Sequence, residues 1–449
     1  MSLPSRWFEY PEFVQNHEGR KAYSKALIDG HPRVVVNHSG RRSFKTECCK
    51  RALVATAMRE ADKNFVVMAP TNAQVKRIYL KDIKDLIPPS FLKRYSTVDQ
   101  TFHLINGTTI VLAAAEASDR IEGMQIFGAV LDEFGKMGMK VLEENLLPAL
   151  AATKGFLWIV GVPEGMGNYY TLVQEIKMGK WGGPDEAVVF SWPSEGMIDP
   201  DEIAKMKERM DPLTFDQEFL GEFVSFEGRA YHAFSHDTNV REGLRERYDP
   251  TVPLVLAMDF NVSPGTASII QPMEIDGRKC DAVIGEVYID KNSHTEMVTR
   301  NFCEQFPPDV HKSRLHLYGD FFGGSRGSAQ LRGSDWDIVK QTLQQEGYSL
   351  RRVIEDIPRN PRVKERVNSM NARLRNAAGE SFLFFDSKYT RYSIRDMEGV
   401  KLLPGTAFEI DKKSAPDLTH ISDAIGYYIH RLYPVKDTAA EKFRISNLH

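Results

Sequence analysis

A chain of 449 residues with 42% hydrophobic and 27% charged side chains has room for two or three packed domains and is too apolar to be disordered or fibrous. Its formal net charge of -3 excludes binding to nucleic acid through bulk basicity, leaving local basic patches or assembly into a ring. The cysteines Cys48, Cys49, Cys280 and Cys303 show no C-x-x-C spacing and no His/Cys cluster, which argues against a zinc site or a disulfide framework. With no apolar signal core and no run near the ~18 residues of a membrane span, a reducing cytoplasm is expected.

The first marked stretch runs from Val34-Val35-Val36 through Asn37-His38-Ser39-Gly40-Arg41-Arg42-Ser43-Phe44 to Lys45-Thr46. A phosphate-binding loop needs backbone N–H groups facing the phosphates, a lysine for the β and γ oxygens and a hydroxyl for magnesium, and Lys45 and Thr46 supply the last two. Ser39 and Phe44 stand where G-x-x-x-x-G-K-[ST] has glycines, so alone the stretch also fits an ordinary strand-to-helix turn. Its setting favours the loop: an apolar strand precedes it, and 47–58 follows with a helical stripe of Leu53, Val54, Ala57 and Met58.

Further strands are expected at 65–71, 109–114, 126–131, 156–162 and 187–191, with a helix over 72–86. This alternation predicts a doubly wound, largely parallel sheet that binds ligands at the carboxyl ends of its strands. The strand from Ile126 to Leu131 ends in Asp132-Glu133. In a nucleoside triphosphatase the aspartate holds magnesium and the glutamate aligns or deprotonates the attacking water, whereas two solvated acids are the plainer alternative. Arg120, just upstream, is placed to serve as an arginine finger toward a neighbouring subunit, or is an ordinary surface arginine.

In the second half, 253–260 is an apolar strand carrying Asp259 near its end, turned by Asn261-Val262-Ser263-Pro264-Gly265 into 266–271. Strands at 280–289 and 315–320 follow, the latter ending in Asp320, and a helix opening at Asp417 carries His420 and Asp423. Each acid alone is unremarkable, but Asp259, Asp320 and Asp423 together would form a carboxylate cluster for divalent ions suited to phosphodiester cleavage. His420, three residues before Asp423 on the same helical face, would assist as a base or outer ligand, or merely cap the helix. Arg352, Arg359, Arg362, Lys364 and Arg366, with Arg351, form a locally basic stretch proposed to face DNA, against the alternative of a solvated helix face.

The order of these motifs resembles, over nearly the whole chain, the large terminase subunit of tailed bacteriophages. The resemblance implies a phosphate loop with arginine after its first glycine, so that Ser39, Gly40, Arg41, Arg42, Ser43, Phe44, Lys45, Thr46 and Asp132 bind nucleotide and Arg41 also serves catalysis. Phe44 replaces the commoner glycine. Gly161-Val162-Pro163 stands at the family's coupling motif, and 217–223 with Gly228 looks like its lid. The implied fold class is α/β: a P-loop ATPase domain at 1–230, with the lid at about 190–230, a linker at 231–250, and a ribonuclease H-like nuclease domain at 251–449. The implied cofactors are ATP and Mg2+, with Mn2+ possible at the nuclease site. The implied partners are double-stranded DNA, the portal protein and procapsid, the small terminase subunit and other copies in a homo-oligomeric ring, in the host cytoplasm and with no membrane. The implied activity is ATP-driven packaging of DNA, with metal-dependent cutting. A helicase-nuclease of DNA repair and a non-catalytic ring component with degenerate sites are the alternatives.

Overall fold

Continuous apolar runs become strands covered on both faces, and the first half of the chain is built from them. The computed structural model describes residues 18–225, 228–260, 264–324, 334–403, 409–413 and 418–435. The turn expected at Asn261-Val262-Ser263 and the helix start expected at Asp417 lie outside them. The chain forms two compact units, one running to Ile203 and including Asp216–Ser225, and a second holding Ala204–Phe215 and the remainder.

In the first unit the strands are β1 (Val34–Asn37), β2 (Asn64–Ala69), β3 (Leu92–Ser96), β4 (Thr101–Leu104), β5 (Thr109–Ala114), β6 (Gly128–Asp132), β7 (Phe156–Val160) and β8 (Ala187–Phe190). They form one sheet in the order β3-β4-β5-β2-β6-β7-β1-β8. The strands from β5 to β8 in this order run parallel, and β3 and β4 add an antiparallel edge. Successive side chains serve opposite layers: Val67, Trp158 and Val160 pack in one core with Leu53 and Tyr23, and Val66, Met68, Leu157 and Ile159 in the other with Leu142 and Leu172. Asn37 and Asp132 both pair with Val160 of the strand between them. The carboxyl ends of β1 and β6 are therefore level, about 10 Å apart at two strand spacings.

The second unit holds β9 (Val240–Arg241), β10 (Leu254–Asp259), β11 (Gly265–Ile275), β12 (Arg278–Ile289), β13 (Leu315–Gly319), β14 (Val353–Glu355) and β15 (Leu383–Asp386), in the order β14-β13-β10-β11-β12-β15-β9. An antiparallel β10-β11-β12 meander is flanked by strands parallel to its outer members. The β11–β12 hairpin turns on Asp276-Gly277, both at positive φ (54° and 75°), the geometry that matches strand twist. Helices at Val363–Leu374, Arg391–Gly399 and His420–Leu432 pack around it.

The linker expected at 231–250 is folded instead. Tyr231 and Phe234 are in the second unit's core, and Val240–Arg241 forms an edge strand on β15. The segment reads as polar on average, yet Tyr231, Phe234, Val240 and Leu244 bury, and Asn239 is buried with them, its Nδ2 donating to Leu374 O and Leu383 O. The lid expected at about 190–230 is likewise divided, since 204–215 belongs with the second unit. Among the described residues no helix is long and apolar enough to cross a membrane.

Candidate functional site

The turn after β1 is drawn tight by its own side chains. Asn37 Oδ1 accepts from Ser39 N (3.0 Å) and Ser39 Oγ (2.6 Å), and the helix Lys45–Arg59 begins directly behind. Arg42 and Phe44 take left-handed backbone, with φ 53° and 62°, so Phe44 adopts the conformation a glycine would take freely. Lys45 is buried, and its Nζ donates to the carbonyls of Ser39 (3.1 Å) and Gly40 (3.0 Å), folded back over the loop. Burial lowers its pKa, against the pull of Glu133 and Asp132.

Thr46 Oγ1 lies 3.2 Å from Asp132 Oδ2, uniting the expected hydroxyl and carboxylate. Asp132 also accepts from Tyr79 OH (3.0 Å) and Glu133 N (2.9 Å). Burial, then the charge of Glu133, pushes its carboxyl up to about 6. Burial pushes Glu133 the same way but is outweighed by Lys136, Lys45 and Arg41, so its pKa is lowered. A buried acid destabilised by a second acid, with a hydroxyl at its side, is a donor set that suits a divalent cation. Gly161 joins the two motifs: its N donates to Asn37 O (3.2 Å), and a Cβ there would meet Phe134 N at 3.1 Å and Glu133 Cα at 3.4 Å.

The segment 216–221 closes over the loop. Arg41 N donates to Glu218 O (2.7 Å), and its guanidinium is ion-paired with the Glu218 carboxylate. Gly40 must lack a side chain, because a Cβ would strike Phe219 O and Ser194 Oγ. His38 Nδ1 is 2.9 Å from Gly221 O, and Gln217 Oε1 accepts from Gly165 N (2.9 Å). Arg120 is exposed and donates to Val98 O (3.4 Å) beyond β3. It follows β5, four strand spacings or roughly 20 Å from β1, and does not join its own chain's loop.

In the second unit, Asp259 closes β10 and Asp320 follows β13, which lies beside β10. Asp423 lies on the helix His420–Leu432, which packs on β10, β11 and β13. Burial raises the Asp259 pKa; the His420 hydrogen bond lowers it, and the charges of Asp423 and Asp320 push it up, so the three acids feel one another. Each already has a protein partner. Asp259 Oδ2 is 3.2 Å from His420 Nδ1, and Asp320 Oδ1 accepts from Asn360 Nδ2 (2.6 Å) and Phe322 N (2.9 Å). Asp423 meets Arg366 at 2.5 Å and Lys412 at 3.1 Å. Among the described residues, no group of three or more His, Cys, Asp or Glu is arranged to hold a metal ion.

Arg366 corrects the expected DNA-facing patch. It is buried, paired with Asp423 and set 4.7 Å over the Tyr427 ring, because its helical position faces inward. Arg352, Arg359 and Arg362 are exposed and Lys364 is partly so. Arg359 lines a cavity of about 250 Å³ with Tyr318, Gly319, Asp356, Tyr427 and Arg431. Tyr79, Gln217, Glu218, Asn360, Tyr427 and Lys412 were not singled out as site residues from sequence. Gln217 and Glu218 fall within the 217–223 lid segment and Asn360 beside the basic stretch, whereas Tyr79, Tyr427 and Lys412 carry no local signal.

No protein-family model matches the chain, and no curated protein matches it. Solved structures do. The large terminase from a thermophilic bacteriophage superposes with a TM-score of 0.53 at 15% identity, covering 92% of this chain and 98% of that one. The same phage's protein in complex with ATP-gamma-S gives 0.52 at 13%, covering 91% and 98%. Its complex with ADP gives 0.52 at 15%, with the same coverage. This chain therefore has the large terminase fold over about nine-tenths of its length, an α/β architecture with two sheets.

Proposed function

We propose that this chain, having the large terminase fold, is a viral DNA-packaging motor that couples ATP hydrolysis to translocation of double-stranded DNA into a procapsid and cuts that DNA with its second domain. One observation carries the reading: the loop with Lys45 and Thr46 and the acids Asp132 and Glu133 meet at the carboxyl ends of one sheet's strands, while Asp259 and Asp320 at strand ends of the other sheet and Asp423 on a helix packed there lie close enough to raise the Asp259 pKa. The thermophilic phage protein's complexes with ADP and ATP-gamma-S support ATP as the nucleotide.

In this reading Lys45 leaves the carbonyls of Ser39 and Gly40 to meet the β and γ oxygens. Glu133, held ionised, orients and deprotonates the attacking water. Thr46 and Asp132 would hold Mg2+, which neutralises charge on the phosphates when bound. Arg41 changes partner from Glu218 to the nucleotide, and Arg120 acts on a neighbouring subunit's site in a ring on the portal. Gly161, packed against Glu133, relays the change toward Val162 and Pro163.

In the nuclease domain Asp259, Asp320 and Asp423 would hold Mg2+ or Mn2+, which activates water and stabilises the leaving oxygen when bound. Lys412, half exposed, must first withdraw from Asp423. His420 orients Asp259, Asn360 fixes Asp320, and Arg352, Arg359, Arg362 and Lys364 face DNA. The portal, the procapsid and the small subunit are the partners, in the host cytoplasm. Phosphate release and plasmid digestion, measured side by side, test the reading. Glu133→Gln should lose about 100-fold or more of hydrolysis and keep cutting, and Asp259→Asn should do the converse. Folded Glu133→Gln protein hydrolysing ATP at the wild-type rate would overturn it.

A further inference from the structure

The sheet register carries the Asp259 row on to a second feature. Asp259 pairs with Thr266 across β10 and β11, and Thr266 pairs with Tyr288 across β11 and β12. Directly opposed residues point to the same face, so Tyr288 shares the Asp259 face, about 10 Å along at two strand spacings. There it stacks on Tyr392 of the helix Arg391–Gly399, with ring centroids 3.8 Å apart and planes at 8°. That helix packs against β12 and against the helix bearing Asp423.

Two arginines are fixed by this stack. The guanidinium of Arg391 lies 4.4 Å over the Tyr392 ring, and that of Arg395 lies 5.2 Å from the Tyr288 ring and 5.0 Å from the Tyr392 ring. Arg395 also donates to Tyr288 OH (3.4 Å). Four residues apart, the two project from one helical face, with Cβ atoms about 5–6 Å apart. Glu286 accepts from Tyr392 N, Ser393 N and Ser393 Oγ, each at 2.8 Å. Asp396 accepts from Thr419 N and Ser422 N through Oδ2, and its Oδ1 is ion-paired with Arg395 at 3.7 Å, a third contact that orients that guanidinium. Planar guanidinium groups held by aromatic rings lose little freedom on binding and match phosphate oxygens.

We propose that Arg391 and Arg395, positioned by the Tyr288–Tyr392 stack, form a phosphate clamp for the DNA strand that passes the acids. This rests on reading the second unit as a nuclease. Tyr288, which anchors the clamp, stands about 10 Å from the Asp259 position, a span of a few phosphate spacings along one strand. It lies on the β12 side of the acids, whereas the Arg359 cavity lies on the β13 side, so together they grip the strand on both sides of the scissile bond.

The test uses full-length Asp259→Asn protein, which binds without cutting, and a fluorescein-labelled blunt duplex followed by anisotropy between about 50 and 200 mM salt. Adding Arg391→Gln and Arg395→Gln should weaken binding equally for all sequences and lower the slope of log affinity against log salt by about two. The Arg391→Lys, Arg395→Lys pair should recover most of that slope, which a merely structural role would not produce. An unchanged slope in the glutamine variant, with the parent binding normally, overturns the clamp alone. A parent that does not bind the duplex overturns both the clamp and the nuclease reading.

Discussion

Phe44 shows how far a motif's letters can change while its backbone is kept. With no glycine before the lysine, the chain still takes φ 62° there, and a side chain in this region costs about 1–2 kcal/mol. The Lys45 contacts over the loop and the 216–221 backbone across Gly40 and Arg41 hold the conformation in place. Phe44→Gly should therefore leave ATP affinity intact and change stability by no more than about 1 kcal/mol, since relieved backbone strain offsets lost side-chain contact. Phe44→Val, β-branched in the same conformation, should cost more than about 1 kcal/mol and weaken nucleotide binding. Urea unfolding and titration with a fluorescent ATP analogue measure both, and equal behaviour of the two variants would show that the left-handed geometry is not required.

The helix His420–Leu432, which carries Asp423, has an N-terminus that local sequence does not explain. Thr419 sits at φ 88° and its side chain makes no cap. The cap comes from another helix: Asp396 Oδ2 accepts from Thr419 N and Ser422 N, both at 3.1 Å. Burial pushes the Asp396 carboxyl up to about 6 from 3.8, partly offset by these bonds and by Arg395. A raised carboxyl contributes stability that is complete below pH ~3.8 and is lost as pH rises through about 6. Asparagine keeps an acceptor and cannot ionise. Asp396→Asn should therefore stabilise the second unit above pH 6 by on the order of 2–3 kcal/mol, with the gain vanishing near pH 4. Thermal unfolding at pH 8 and pH 4.5 tests the sign; an equal shift at both would reject ionisation as the cause.

The two units do not divide where composition suggests. A fragment starting near Tyr248 would lack Tyr231, Phe234 and β9, and with them core contacts worth roughly 1.5–3 kcal/mol for each large apolar side chain. It would also lack 204–215, where Met210 O accepts from Ala377 N (2.7 Å) and Glu208 O from Asn376 Nδ2 (2.9 Å). The fragment 204–449 should unfold cooperatively as one transition, whereas 251–449 should aggregate or melt well below it. Circular dichroism melts of the two proteins decide this, and matching midpoints would mean that 204–250 is dispensable.

What was legible in sequence was whatever rests on local pattern: the buried strands, the turn into Lys45-Thr46, the acid pair after β6, and the acids at the ends of β10 and β13. Apolar periodicity and strand ends are set by neighbours in the chain, and the sequence carries them directly. Which charges face inward was not legible. Arg366 sits in a basic run and reads as exposed, yet it is buried against Asp423, because only the packing of two helices supplies the opposite charge that makes its burial tolerable. The same holds for Tyr79 on Asp132, Asn360 on Asp320 and Asp396 capping a distant helix, each joined across tens of residues. The candidate site acids and the Lys45-Thr46 pair could be named from sequence, whereas the groups that hold and neutralise them are set by tertiary contact, since a buried charge depends on whatever the fold brings beside it.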